Sequence, residues 1–285
     1  MEKLQKQLEQ LNIPFTRIEH IRSKDGVTVA RVFSERSCIL KYFEKKEYAR
    51  EIENYRILET LGVPTLKVIA ASDCTILLED VTDSPVFRLG REQDLDDPQI
   101  AVQLAGWYKT LHRKGREFVK SCGTGFYSET DCITSENLTF IKSVTKTGHF
   151  SVWRLVEENF SLLKQKIDAL NDTLTYNDFY FTNLISAKDK SSAFMFDYNL
   201  LGRGYAYSDL RNVCWSLGNN AKQAFLKEYG AFDPVEKAAD EVISPIVTLY
   251  SACRRSSFPD WGNEALSMLK NGFEQRLADF LGDLP

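Results

Sequence analysis

The hydrophobic pattern of this chain changes period once, near Val81, and that change restricts the architectures open to it. Before it, apolar and β-branched residues come in short blocks: FTRIEHI, VTVARVF after the turn-like SKDG, SCILKYF, and later LKVIAAS and CTILLEDV. Polar breaks of hairpin length separate the first three, which predicts a small antiparallel meander. A short opening helix carries Leu4, Leu8 and Leu11 on one face and stops before Pro14. A second helix is inserted from Glu44 to Gly62, closed by the glycine and by Pro64. Beyond Val81 the segments 98–115, 150–170, 206–230, 234–253 and 262–282 carry helical spacing, with two short strand-like runs, LTY and SAFMFDY, among them. The expected fold class is α+β. A small antiparallel β-sheet lobe with one inserted helix spans 1–80, a larger and mainly α-helical lobe spans 81–285, and the hinge follows Glu79.

Composition limits what such a chain does. Hydrophobic residues at 43% and charged residues at 27% are ordinary for a folded, soluble protein, so disorder is not expected. A net charge of -4 gives no broad attraction to nucleic acid or to an anionic membrane, and the RRSS turn at 254–257 has no basic patch around it. The opening MEKLQKQLEQLNIPF lacks the apolar core of a signal peptide, and no segment approaches membrane-spanning length. A cytoplasmic monomer or homodimer is expected. Its six cysteines are scattered without metal-ligand spacing and read as reduced thiols; a Cys122–Cys132 bridge would need an oxidising compartment.

Two apolar runs are interrupted by polar groups that need a reason to be there. In TLTYNDFYFTNLI, Asp178 and Asn183 stand five residues apart in a loop after a short strand. In AFMFDYNLLGRGYAYSDL, Asp197 ends the next apolar strand, so a hairpin-like return brings all three together. Each alone is an ordinary turn residue. Jointly they form the set that phosphoryl transfer requires: a carboxylate to take the proton of an attacking hydroxyl, and hard oxygen ligands for magnesium. Lys41 supplies a cation at the end of the apolar strand SCILKYF, where a phosphate-contacting lysine would be held by a glutamate of the neighbouring helix. On that helix the apolar arc is Tyr48, Ile52, Tyr55 and Leu58; Glu51 falls inside it and Glu53 lies opposite. Glu51 is the expected partner and Glu47 the alternative.

YNDFYFTNLI resembles the HGDxxxxN loop of the aminoglycoside phosphotransferase and choline kinase group, and MFDYNLLGRGYAYSDL resembles its metal-binding segment. EIENYRIL and GVPTLKV are similar to the group's helix and the GVPxPxV that follows. The resemblance implies a bilobal protein-kinase-like fold, with Asp178 as catalytic base, Asn183 and Asp197 as Mg2+ ligands, and Asp209 as a structural acid. TILLEDV resembles the connector that binds adenine, which implies Glu79, Asp80 and Val81 in nucleotide binding with Lys41 and Glu51. It further implies ATP and Mg2+ as cofactors. The acceptor would be a hydroxyl of a small molecule such as an aminoglycoside, choline, or an amino-alcohol or sugar-like compound. The group's His-Gly is Tyr176-Asn177 here, which removes the histidine that braces the loop. SKDGVTV offers one glycine, Gly26, and no GxGxxG, so backbone amides with Ser23 are the expected substitute for a glycine-rich loop. Those two departures motivate the alternative of a nucleotide-binding pseudoenzyme. A protein kinase is disfavoured because HRD, DFG and APE are missing. His112 reads as a core or capping histidine, Arg203 as a surface arginine, and Glu129, Asp131 and Glu136 as a solvated loop. Of Phe179, Tyr180 and Phe181, at least one is expected in the core.

Overall fold

The computed structural model describes residues 1–122 and 125–282. Its first elements are α1 (Glu2–Gln10), β1 (Arg17–Lys24), β2 (Val27–Phe33), β3 (Ser37–Phe43), α2 (Lys46–Leu61), β4 (Val68–Ala71), β5 (Thr75–Glu79) and β6 (Phe87–Leu89). Then follow α3 (Pro98–Cys122), α4 (Ser135–Thr145), α5 (Ser151–Glu158), α6 (Phe160–Asp168), β7 (Asp172–Thr175), β8 (Leu184–Ala187), β9 (Ala193–Met195) and β10 (Gly202–Tyr205). The last are α7 (Ala206–Ser216), α8 (Asn219–Tyr229), α9 (Pro234–Cys253), α10 (Asp260–Lys270) and α11 (Phe273–Leu281). Two compact units result. The first is Met1–Leu111, Tyr176–Leu201 and Asn212–Gly230; the second is His112–Thr175, Gly202–Arg211 and the residues from Ala231 on.

In the first unit the expected meander is an antiparallel sheet in the order β1-β2-β3-β5-β4. Leu4 and Leu8 lie one helical turn apart on α1, and they cover Ala30, Val32, Leu40 and Leu77 on the sheet. Asp25 and Gly26, with φ of 53° and 84°, make the two-residue β1–β2 turn, a conformation that Asp-Gly adopts readily. The edge strand β1 is almost wholly exposed and carries Arg17, Glu19, His20, Arg22 and Lys24, charges that discourage edge-to-edge pairing. Helix α2 buries Glu51, Ile52, Asn54, Tyr55 and Leu58, and it stops where Gly62 turns left-handed and the Val63 amide donates to the Leu58 carbonyl. A second sheet runs β6-β8-β9, in which β8 and β9 form a hairpin with Leu184 opposite Met195.

In the second unit α4, α5, α6, α9, α10 and α11 enclose one core that includes Trp153, Leu163, Ile246, Leu249 and Leu277. β7 pairs with β10, and the buried Asp240 of α9 accepts from Tyr205 at 2.9 Å and from Arg211 at 2.8 Å. Among the described residues no helix is long and apolar enough to cross a membrane. Cys132 is a free thiol; the Cys122 side chain lies outside what is described.

Three of the expected helices are broken. The 150–170 segment divides at Asn159, 206–230 at Leu217–Gly218, and 262–282 at Asn271–Gly272. Gly218 sits against the Asp96 carboxylate, where an added Cβ would lie 1.9 Å from Oδ1, and Gly272 has a φ of 74°. α3 continues past 115 to Cys122, while α4, β6, β8 and β10 are additional elements.

Candidate active site

Lys41 stands on β3 opposite Val29 of β2 and Ile76 of β5. It is 7% exposed, so its ammonium must find partners inside the protein. Nζ donates to Glu51 Oε1 at 2.7 Å and Oε2 at 2.6 Å, and to Asp197 Oδ1 at 3.0 Å. Glu51 is 1% exposed on the inward arc of α2, which makes it the partner in place of Glu47. Burial alone would lower the lysine pKa, but the carboxylates of Glu51 and Asp197 outweigh it and hold the ammonium above the ordinary lysine range.

The β8–β9 hairpin has Asn183 directly before its first strand and Asp197 just after its second, and the Phe196 amide donates to the Asn183 carbonyl at 2.9 Å. The Asn183 side-chain amide donates to the Asp178 carbonyl at 3.2 Å and to its carboxylate at 3.1 Å. Both bonds use Nδ2, which leaves the amide oxygen Oδ1 to serve as a hard ligand. Burial, reinforced by the negative charge of Asp197, pushes the Asp178 carboxyl up to about 6 against the opposing pull of Asn183 and Lys41. Such a group is still mostly ionised at neutral pH and accepts a proton more readily than an ordinary aspartate. Asp197 itself has a left-handed φ of 64°, a conformation uncommon outside glycine and enriched at functional sites.

The residues that replace His-Gly are themselves a brace. Tyr176 is fully buried, and its hydroxyl donates to the Phe196 carbonyl at 2.5 Å. The Phe196 peptide is thereby held on one side by Tyr176 and on the other by Asn183, directly before Asp197. Asn177 takes a φ of 64°, which asparagine tolerates better than most residues, and its Nδ2 donates to the Leu200 carbonyl at 3.0 Å. The Tyr176 ring lies edge-on to Trp107, Tyr108 and Tyr198, and Tyr198 in turn to Tyr55 of α2. α2 also fixes the segment after Asp197, because Asn54 donates to the Tyr198 carbonyl and Arg50 to the Asn199 carbonyl, both at 2.7 Å.

In the connector, Asp80 accepts from Arg31 Nε at 2.7 Å, and Glu79 accepts the Lys67 amide at 2.8 Å. Both acidic side chains are thus engaged within the protein, and Val81 is buried. Asp209 is buried 3.0 Å from His112 Nε2, and Arg203 pairs with Asp172 at 3.2 Å, both within the second unit. Phe179 is buried, whereas Tyr180, two residues after Asp178, is 64% exposed. A surface cavity of about 640 Å³ lies in the second unit, between His149, Phe150, Lys270 and Phe273, and it contains none of these groups.

Sequence reasoning missed Tyr176, Asn54, Arg50 and Arg22, whose guanidinium lies 3.5 Å from Asp197 Oδ2. Only Asn54 carried a signal, being a polar residue in the same helical arc as Glu51 and Tyr55.

No curated protein matches the chain. Among solved structures it is similar to the choline kinase LicA from Streptococcus pneumoniae, with 16% identity, a TM-score of 0.63, and 96% of this chain and 99% of that one covered. It is similar also to APH(2'')-IIa in its ternary complex with streptomycin and ATP, at 16% identity and TM-score 0.60, covering 96% and 97%. The macrolide 2'-phosphotransferase MphH from Brachybacterium faecium matches at 13% identity and TM-score 0.63, covering 95% and 99%. At these identities the likeness establishes the protein-kinase-like fold. Residues 18–241 match the profile of the phosphotransferase enzyme family, and the chain belongs to that family.

Proposed function

We propose that this protein is an ATP- and Mg2+-dependent phosphotransferase that moves the γ-phosphate onto a hydroxyl of a small molecule of the aminoglycoside, choline, amino-alcohol or sugar-like kind. The observation that carries the reading is the pair of linked contacts, Glu51 on Lys41 on Asp197 and Asn183 on Asp178, all at 3.2 Å or less. Asp178 takes the proton of the attacking hydroxyl as the new O–P bond forms; the γ-phosphorus parts from the β,γ-bridging oxygen, and ADP leaves. Lys41, oriented by Glu51, contacts the α- and β-phosphates. Asp197 and the amide oxygen of Asn183 fit Mg2+, which takes one or two protein oxygens and completes its shell with phosphates and water. Magnesium, when bound, neutralises charge on the phosphate oxygens. Among the described residues no group of three or more His, Cys, Asp or Glu forms a metal cage, and such an open magnesium site needs none.

With their side chains engaged, Glu79, Asp80 and Val81 offer backbone groups to adenine. Asp209, paired with His112, is structural. Residues 1–80 serve nucleotide binding, and 81–285 serve catalysis and acceptor binding. Tyr180 is the exposed aromatic nearest in sequence to the base and is the first acceptor contact to test. The names of the similar structures, a choline kinase and an enzyme bound to streptomycin and ATP, support that range of acceptors. We assign the activity to the cytoplasm, to a monomer or homodimer, with no nucleic-acid or membrane partner.

The test is ATP turnover with magnesium across aminoglycosides, choline, ethanolamine and sugars, comparing wild type with Asp178→Ala. Transfer to at least one acceptor that is lost in the variant is expected. Intact ATP binding without transfer to any acceptor would make the chain a nucleotide binder instead.

A further inference from the structure

We propose that Arg22 is a second phosphate-binding cation of the nucleotide site, brought onto the Lys41 face of the sheet by a β-bulge at Ile21. The inference rests on the nucleotide-site reading above. In β1 the register runs Glu19 opposite Arg31 and His20 opposite Ala30, then skips Ile21, so that Arg22 is the residue opposite Val29. Val29 is in turn opposite Lys41 of β3. Residues directly opposite one another in antiparallel strands project from the same face, so Arg22, Val29 and Lys41 form one row. Without the extra residue that position would belong to Ile21, and a one-residue slip exchanges the faces. The bulge therefore exchanges an isoleucine for an arginine in the row that ends on Lys41.

Asp197 receives both cations, one on each carboxylate oxygen: Lys41 lies 3.0 Å from Oδ1 and Arg22 lies 3.5 Å from Oδ2. Asp197 is the carboxylate that would hold a magnesium ion bound with the nucleotide, so the phosphates would come to lie beside its oxygens. A guanidinium that reaches Oδ2 consequently reaches those phosphates. The Arg22 side chain is 62% exposed, so its ion pair with Asp197 is weak and exchanges readily for a doubly charged, forked partner such as a phosphate. That exchange would also free Oδ2 to serve as a metal ligand. The hairpin is built to keep Arg22 there. Beyond it, Ser23 is hydrogen-bonded to Thr28 at 2.9 Å and to His20 at 2.9 Å, and the Asp25-Gly26 turn closes the tip. The Ser23 hydroxyl is engaged by His20 and Thr28, and a two-residue turn offers fewer free amides than a glycine-rich loop, so a side-chain cation adds charge that the turn supplies less of.

Isothermal titration of ATP–Mg2+ and of adenosine into wild type, Arg22→Gln and Arg22→Lys tests this without reference to turnover. Arg22→Gln is expected to weaken ATP about ten-fold and adenosine not at all, the ordinary effect of losing one charge-assisted contact. Arg22→Lys should recover part of the loss. Equal ATP affinity in wild type and Arg22→Gln would overturn the proposal while leaving the phosphotransferase reading intact. Equal loss of ATP and adenosine would also overturn it, because the arginine would then be shaping the fold. Wild type that binds no ATP would remove the nucleotide site itself, and this proposal with it.

Discussion

Tyr176→Phe isolates the device that stands in for the missing histidine. The substitution removes one oxygen and no packing: the ring keeps its edge-on contacts with Trp107, Tyr108 and Tyr198, at centroid distances of 5.8, 6.5 and 5.9 Å. What goes is the hydroxyl bond to the Phe196 carbonyl. A neutral hydrogen bond contributes about 1 kcal/mol net, and leaving its partly buried acceptor unpaired costs roughly another 1 kcal/mol. A destabilisation of about 2 kcal/mol follows, which in a chain of this size lowers the thermal midpoint by about 4 °C. The larger effect should fall on turnover, since the backbone leading into Asp197 is then held through the Phe196 amide alone, with Lys41 and Arg22 still on its carboxylate and α2 on residues 198 and 199. Misplacing a reacting group by about 1 Å costs on the order of 100-fold, so kcat should fall ten-fold or more with little change in adenosine affinity. Thermal unfolding and steady-state kinetics on wild type, Tyr176→Phe and Tyr176→His measure both quantities. The histidine variant should recover activity only if its ring reaches the same carbonyl. Wild-type stability and wild-type kcat in Tyr176→Phe would refute the brace.

Glu51→Gln strips a buried lysine of its main counter-charge and should cost about 3 kcal/mol in urea unfolding; replacing Lys41 and Glu51 together by Met and Leu should recover most of that stability while abolishing ATP turnover. Gly90→Ala would put a Cβ 2.3 Å from the Phe181 carbonyl, in the turn that leads to Asn183, and should cost about 2 kcal/mol and lower kcat, both read on the purified variant. Burial alone would raise the Asp94 carboxyl, but the forked bonds from Arg88, at 2.6 and 2.7 Å, and the Arg91 amide outweigh it and hold the pKa below the aspartate range. A depressed folded-state pKa gives stability that is present above the unfolded value of about 3.9 and lost as pH falls through the folded one, so wild type and Asp94→Asn should converge in urea midpoint below about pH 4. Asn177→Ala loses the Leu200 bond and strains a φ of 64°, and it should destabilise by about 2 kcal/mol, whereas Asn177→Gly, which accepts that φ, should cost less in the same urea assay.

Lys41, Glu51, Asp178, Asn183 and Asp197 could be read from the chain because each is a polar group set in an apolar context, and the periods of strand and helix say which way it faces. Glu51 was separable from Glu53 by helical angle alone, whereas the return of Asp197 was expected from the strand before Asn177 and is made by β8 and β9, while β7 pairs with β10. Tyr176 could not be read in that way. Its partner is a main-chain carbonyl twenty residues further on, and a carbonyl has no sequence identity, so the tyrosine could be marked as replacing a histidine but not as taking over the bracing. The same holds for Asn54 and Arg50, which donate to backbone atoms of residues 198 and 199. β6 and β10, three and four residues long, exist because β8 and β7 lie beside them, and the helix break at Gly218 reflects the approach of Asp96. Arg22 is the most instructive case. By simple alternation from His20 it is one more charge on an exposed edge strand, and a single unpaired residue, visible only in the register, turns it toward Lys41 and Asp197. The groups to which the proposed function assigns chemistry thus announce themselves as misplaced polarity, while those that hold them in position act through backbone geometry. A variant series confined to the five recognisable residues would therefore test the proposed reaction centre and miss what orients it.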